Sequence, residues 1–188
     1  MEMKQFLEYL ANRSACKEAI EFAEHYETPQ EAWDACENSN WMSWLLRRTL
    51  RNPTPEQHKS LVRIACDAAR LALPTVKPGE LRPLRAIEAA EAWMCRKATK
   101  KVVAAAAAAA KAATCTADAT YAAAYAAAHA AYAAAHAAYA CAHTANAAVY
   151  HTANAAAYEA DVAVSRQIAS IIRRYFPDVV MWTLKNKS

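Results

Sequence analysis

The chain reads as all-α: a single compact helical domain, with amphipathic helices wrapped around a long Ala-rich central helix or helical hairpin. Three observations predict this. Its 188 residues contain one glycine, Gly79, whereas tight β-hairpins lean on glycine. Helix-start signals recur through the first half of the chain. From Arg85 to Phe176 there is neither Pro nor Gly, and Ala, the strongest helix former, dominates. A chain of this length can bury a real core as one domain without disulfides or metals.

The elements follow in order. Glu2–Asn12 is periodic in Phe6, Leu7 and Leu10. Ser14 is a candidate cap for a helix over Ala15–Tyr26. Thr28-Pro29-Gln30-Glu31 is a capping box with Pro at the first helical position, and that helix should end near Asn38. Asn38 or Ser39 can cap 41–50. Thr54-Pro55-Glu56-Gln57 is a second capping box, opening a helix to about Leu73. Pro74 and Pro78-Gly79 make a loop, and Pro83 can start PLRAIEAAEAWMCRK, with Leu84, Ile87, Ala90 or Glu91, and Met94 inward. These define N-terminal helices over 1–75, Ala-rich core helices over 80–113 and 117–175, and a short C-terminal helix over 177–186.

The Pro/Gly-free stretch cannot be one helix. It would run about 140 Å at about 1.5 Å per residue, against a radius of gyration of about 16 Å for a domain of this size. Thr99 and Thr114–Asp118 are the best candidate breaks, with His143–Asn146 and His151–Asn154 weaker. Within it, 125–131 and 132–138 both read YAAAHAA, and 139–145 reads YACAHTA. The spacing puts Tyr121, Tyr125, His129, Tyr132, His136, Tyr139 and His143 on one stripe, and the seven-residue period implies a left-handed supercoil against neighbours. No charged residue lies between Asp118 and Glu159, which points to a central position. Successive histidines of the stripe are two turns apart, about 10 Å, too far to share a metal. Its hydroxyls and imidazoles can satisfy one another, or Tyr125, His129, Tyr132 and His136 can form an aromatic wall for a ligand.

Composition excludes several function classes. Phosphate-cradling loops, dinucleotide turns and nucleophile elbows need several glycines. No Ser/His/Asp or Cys/His arrangement can be placed, so catalysis, cofactors and metals are not expected. The six cysteines, at 16, 36, 66, 95, 115 and 141, include no CxxC pair and read as small buried hydrophobes in a reducing compartment. The amphipathic start has no signal-peptide core and no stretch resembles a membrane span, so a cytoplasmic protein is expected. Charge is uneven: residues 1–40 hold nine acids and three bases, a balance of −6, and residues 41–111 hold fourteen bases and five acids, a balance of +9. The basic middle can attract an acidic partner, or be neutralised by the acidic helices packed beside it.

Two clusters are candidate binding sites. Arg82, Arg85, Glu88 and Glu91 follow one another along a helix that also carries Trp93. They can form an ion-pair ladder, or Arg82 and Arg85 can receive an anionic group with Glu88 holding them in place. Trp41 and Trp44, like Trp93, serve as core anchors or as ligand platforms, and Arg47, Arg48 and Arg51 can extend a basic rim.

The segments WMSWLLRR (41–48), RLALP (70–74), RPLRAIEAAEAW (82–93), the Ala/Tyr tract and IIRRYFP (171–177) together resemble the fifth family of predicted immunity proteins of bacterial polymorphic toxin systems, which also occurs in phage genomes. The resemblance covers most of the chain. It implies an all-α fold, a bacterial setting and an important glutamate, best matched by Glu88 and next by Glu91. The expectation is a non-catalytic antagonist that binds and neutralises a toxin or defence effector protein. The alternative is a small-molecule sponge that sequesters a nucleotide-derived immune signal, using Arg82, Arg85 or Arg47 for phosphate and Trp or Tyr rings for the base. A nucleic-acid partner is the weaker expectation, and a homodimer or higher homo-oligomer remains open.

Overall fold

The computed structural model describes residues 2–50, 53–75, 78–99, 101–103, 105–106, 108–109 and 162–178. Every regular element among them is helical: α1 (Met3–Asn12), α2 (Lys17–Glu24), α3 (Pro29–Ala35), α4 (Ser39–Thr49), α5 (Pro55–Ala72), a 3-10 turn (Leu73–Thr75), α6 (Arg82–Met94) and α7 (Val162–Tyr175). A further helical stretch begins at 101. The expected Ala-rich core, its Tyr/His stripe and the C-terminal helix fall largely outside the described residues.

Local chemistry explains most boundaries. Both capping boxes form: Thr28 Oγ1 accepts from the Glu31 amide while Glu31 accepts from the Thr28 amide, and Thr54 pairs with Gln57 in the same way. Each satisfies two amides that the first helical turn leaves without partners. Asn38 caps α4, its Oδ1 accepting from the amides of Asn40 and Trp41. Thr99 caps the helical stretch that follows α6, as its composition predicts. At α6 the side chain of Leu81, the N-cap residue, makes no capping bond; Glu80 Oε1 instead accepts from the Arg82 amide at 2.9 Å.

Ser14 differs from its expected role. It does not cap α2, whose N-cap residue is Cys16. Ser14 instead closes α1 in the left-handed conformation, at φ 59°. The Ala15 amide donates to the Leu10 carbonyl and the Ser14 amide to the Ala11 carbonyl, the paired bonds of a Schellman closure. Arg96, at φ 58°, ends α6 in the same way. Glycine usually fills this position; a chain with one glycine places Ser and Arg there.

The helices form two layers. In the first, α5 lies between α6 and α7, and α7 also packs on α4. Leu61, Val62, Ile64, Ala65, Cys66 and Ala69 of α5 are therefore fully buried, facing Ile87 and Ala90 of α6 and Ile168, Ala169 and Ile172 of α7. In the second, α1, α2 and α3 pack in sequence. Their junction with α4 is held by α7. The Trp33 indole donates to the Phe176 carbonyl at 3.0 Å, and Gln30 donates to the Pro177 carbonyl at 2.8 Å. Arg173 donates to the Trp33 and Cys36 carbonyls, and Ser165 Oγ accepts from the Ser39 amide and donates to the Glu37 carbonyl. The Trp33 carbonyl also accepts from the Cys36 amide, and the Cys36 carbonyl is reached by a side chain more than a hundred residues away in sequence.

Candidate functional site

Between the second layer and α4 lies a cavity of about 300 Å³. Its existence follows from side-chain size. Ala19 and Ala23 are spaced by four and share one face of α2, and Ala15 precedes the helix's N-cap residue, Cys16. All three line the cavity, with Phe22 beside them. Opposite stand Phe6 and Leu10 of α1, Ala32, Trp33 and Cys36 of α3 and its end, and Trp41, Met42, Trp44 and Leu45 of α4. A methyl stripe facing large, stiff aromatic rings leaves space that neither side can fill. Phe22 packs against Trp41 with centroids 5.6 Å apart and planes tilted by 50°, a ring contact that helps to fix one wall.

Among the described residues the lining contains no Asp, Glu, His, Lys or Arg. Its polar contributors are Ser14, Asn40 and two thiols. Burial pushes the Cys36 thiol up, outweighing the lowering effect of the charge of Arg173, and the thiol donates to the Asn38 carbonyl. Asn40 Oδ1 is buried without a hydrogen bond. It is too covered to meet a water-sized group unless the amide turns. Charge enters only beyond the wall. Arg48, in the last turn of α4, places its guanidinium 5.5 Å from the centroid of the Trp44 ring, a cation–π contact. Trp44 is half-buried and Arg48 is exposed.

The structure divides the expected site residues between separate places. Trp41 and Trp44 are in the cavity wall, and Arg47 is exposed on the same helix. The α6 group contributes nothing to the lining. Arg82 forms an ion pair with Glu80, whose carboxyl is held down to about 2, first by the Arg82 side-chain hydrogen bond. Glu91 does not continue a ladder with Arg85 and Glu88; it receives Arg70 of α5 through both oxygens, at 2.9 and 2.8 Å. Arg85 and Glu88 are exposed, and no ion pair joins either to a described residue. Trp93 stacks at a tilt against His58, centroids 5.5 Å apart. Tyr125, His129, Tyr132 and His136 lie outside the described residues. Phe6, Phe22, Trp33 and the Ala15/Ala19/Ala23 stripe were not singled out as site residues, although the alanine spacing beside Phe22 was a readable signal.

One further expectation is corrected. Cys16 and Cys95 are exposed, because one starts α2 and the other ends α6; Cys36 and Cys66 are buried as expected. Of the two alternatives for the basic middle, direct pairing with the acidic N-terminal helices is not seen among the described residues. All nine acids of residues 1–40 are exposed; among the described residues their ion pairs are Glu21 with Lys17 and Glu37 with Arg166, and neither base comes from 41–111. No group of three metal-ligating side chains occurs among the described residues, and no described helix is long and apolar enough to cross a membrane. No protein-family model, curated protein or solved structure matches the chain.

Proposed function

We propose that this chain is a non-catalytic binding protein that sequesters a small aromatic molecule in the cavity between α1, α2, α3 and α4. The observation that carries this reading is the cavity's make-up: about 300 Å³, walled by aromatic rings and methyl groups, with few polar groups. Small-ligand sites have this size and character. The lack of any Asp, Glu, His, Lys or Arg among the described lining residues supports holding over turnover. Together with the resemblance to predicted immunity proteins, it favours antagonism by removal of a signal over antagonism by capture of an effector protein. Large exposed apolar side chains among the described residues are limited to Leu81 and Val102, whereas a protein interface centres on buried aromatic anchors. Phosphate recognition by Arg82 is disfavoured, since Glu80 already occupies its guanidinium.

A second reading keeps a protein partner. The exposed carboxylates of α1–α3 would steer a basic protein, with one apolar side chain inserted into the cavity.

The test uses indole as probe. Indole should raise the Tm of the wild type, by the equivalent of about 1.4 kcal/mol at ten times its Kd. Ala19→Phe, which places a ring in the void, should fold with an unchanged Tm and lose the response. Equal responses in both proteins, or none in either, would count against the cavity as the site.

A further inference from the structure

We infer that the ligand is an aromatic molecule bearing an anionic substituent, with Arg48 receiving the anion at the edge of the cavity. This rests on the reading of the cavity as a small-molecule site. The aromatic half of the inference follows from the walls. Trp33, Trp41, Trp44, Phe6 and Phe22 offer flat faces and edges, with the indole N–H groups as their only hydrogen-bonding atoms, so the group they hold is a ring.

The anionic half follows from the cations around that wall. Two basic side chains on or beside the cavity's own helices are engaged by carboxylates, Lys17 with Glu21 at 2.9 Å and Arg166 with Glu37 at 2.6 Å, and Arg13 lies at 5.3 Å over Tyr9, which is not among the lining residues. Arg48 differs. It lies over Trp44, a ring that itself lines the cavity, and no carboxylate of a described residue pairs with it. A cation–π contact engages the charge of the guanidinium and does not use its N–H groups. Those donors, in a rigid fork, suit a carboxylate or a phosphate oxygen pair. A ring inserted beside Trp44 would carry its substituent toward that fork. The carboxylates of α1–α3 oppose an anion, but exposed charges are screened over about 8 Å at physiological salt, so the guanidinium in contact decides.

The experiment is isothermal titration of wild type, Arg48→Gln and Arg47→Gln with indole, indole-3-carboxylate and 3-indoxyl phosphate at physiological salt. The wild type should bind at least one of the acids about tenfold more tightly than indole, the scale of one charge-assisted contact. Which acid gains identifies carboxylate or phosphate as the group received. Arg48→Gln should lose that preference and keep its affinity for indole; Arg47→Gln should keep both. Indole binding without preference for either acid overturns the inference and leaves the cavity reading standing. So does a preference that survives in Arg48→Gln or disappears in Arg47→Gln. Failure of all three probes to bind the wild type overturns the inference and its premise together.

Discussion

Ser14 and Arg96 hold left-handed backbone conformations that cost an L-residue about 1–2 kcal/mol. Both are held there by the two hydrogen bonds that close a helix. Ser14→Gly and Arg96→Gly should therefore each raise stability by about 1 kcal/mol, read as a higher urea midpoint at unchanged slope. Glu80 sets a second residue-scale expectation. Its carboxyl is held at about 2, below the ordinary 4.5. A depressed carboxyl stabilises the fold fully above the unfolded value and loses that contribution as pH falls through the folded one. The stability difference between wild type and Glu80→Gln should thus be constant above about pH 4.5 and close as pH falls toward 2, in urea titrations at stepped pH. A gap independent of pH would show that the carboxyl is not depressed.

At the scale of the element, the boundaries written in capping residues were legible. Thr28, Asn38, Thr54 and Thr99 each start a helix where composition and spacing placed one. These signals need only neighbours within four residues, and a sequence displays its neighbours. The misreadings occurred where a boundary uses an unusual residue or a distant one. Ser14 was read as a cap because serine commonly caps, whereas here it substitutes for the glycine the chain lacks. The end of α3 is finished by Arg173, and nothing near Cys36 announces that. Thr54→Ala should cost about 1 kcal/mol, because α5 is the most enclosed described helix and its first turn would lose the Gln57 amide's partner. The urea midpoint reads this directly. An unchanged midpoint would show that solvent replaces the cap without loss.

At the scale of the whole molecule, the all-α class was legible from one glycine and repeated caps, whereas the site was only half legible. Trp41 and Trp44 reached the cavity because they share α4 with the buried Met42, Leu45 and Leu46. The α6 cluster had the same visible chemistry but meets Arg70 and Glu80 in place of a void. Glu80 is two residues from Arg82 and was visible beside it, whereas Arg70 is twenty-one residues from Glu91 and no local pattern announces that pair. The cavity itself is a tertiary fact: it needs the alanines of α2 opposite rings from three other helices, and Trp33 in place through a bond to Phe176. Its role as a sink for a small molecule is the central claim. Native mass spectrometry of the protein purified from bacteria expressing a nucleotide-signalling or toxin defence system tests it most directly, with Ala19→Phe purified in parallel. The account predicts one bound molecule of a few hundred daltons on the wild type, as a ligand that fills most of a cavity of this size would weigh, released chemically unchanged on heating and missing from the variant. A ligand retained equally by Ala19→Phe, a chemically altered product, or a protein partner at fixed stoichiometry in its place would contradict it.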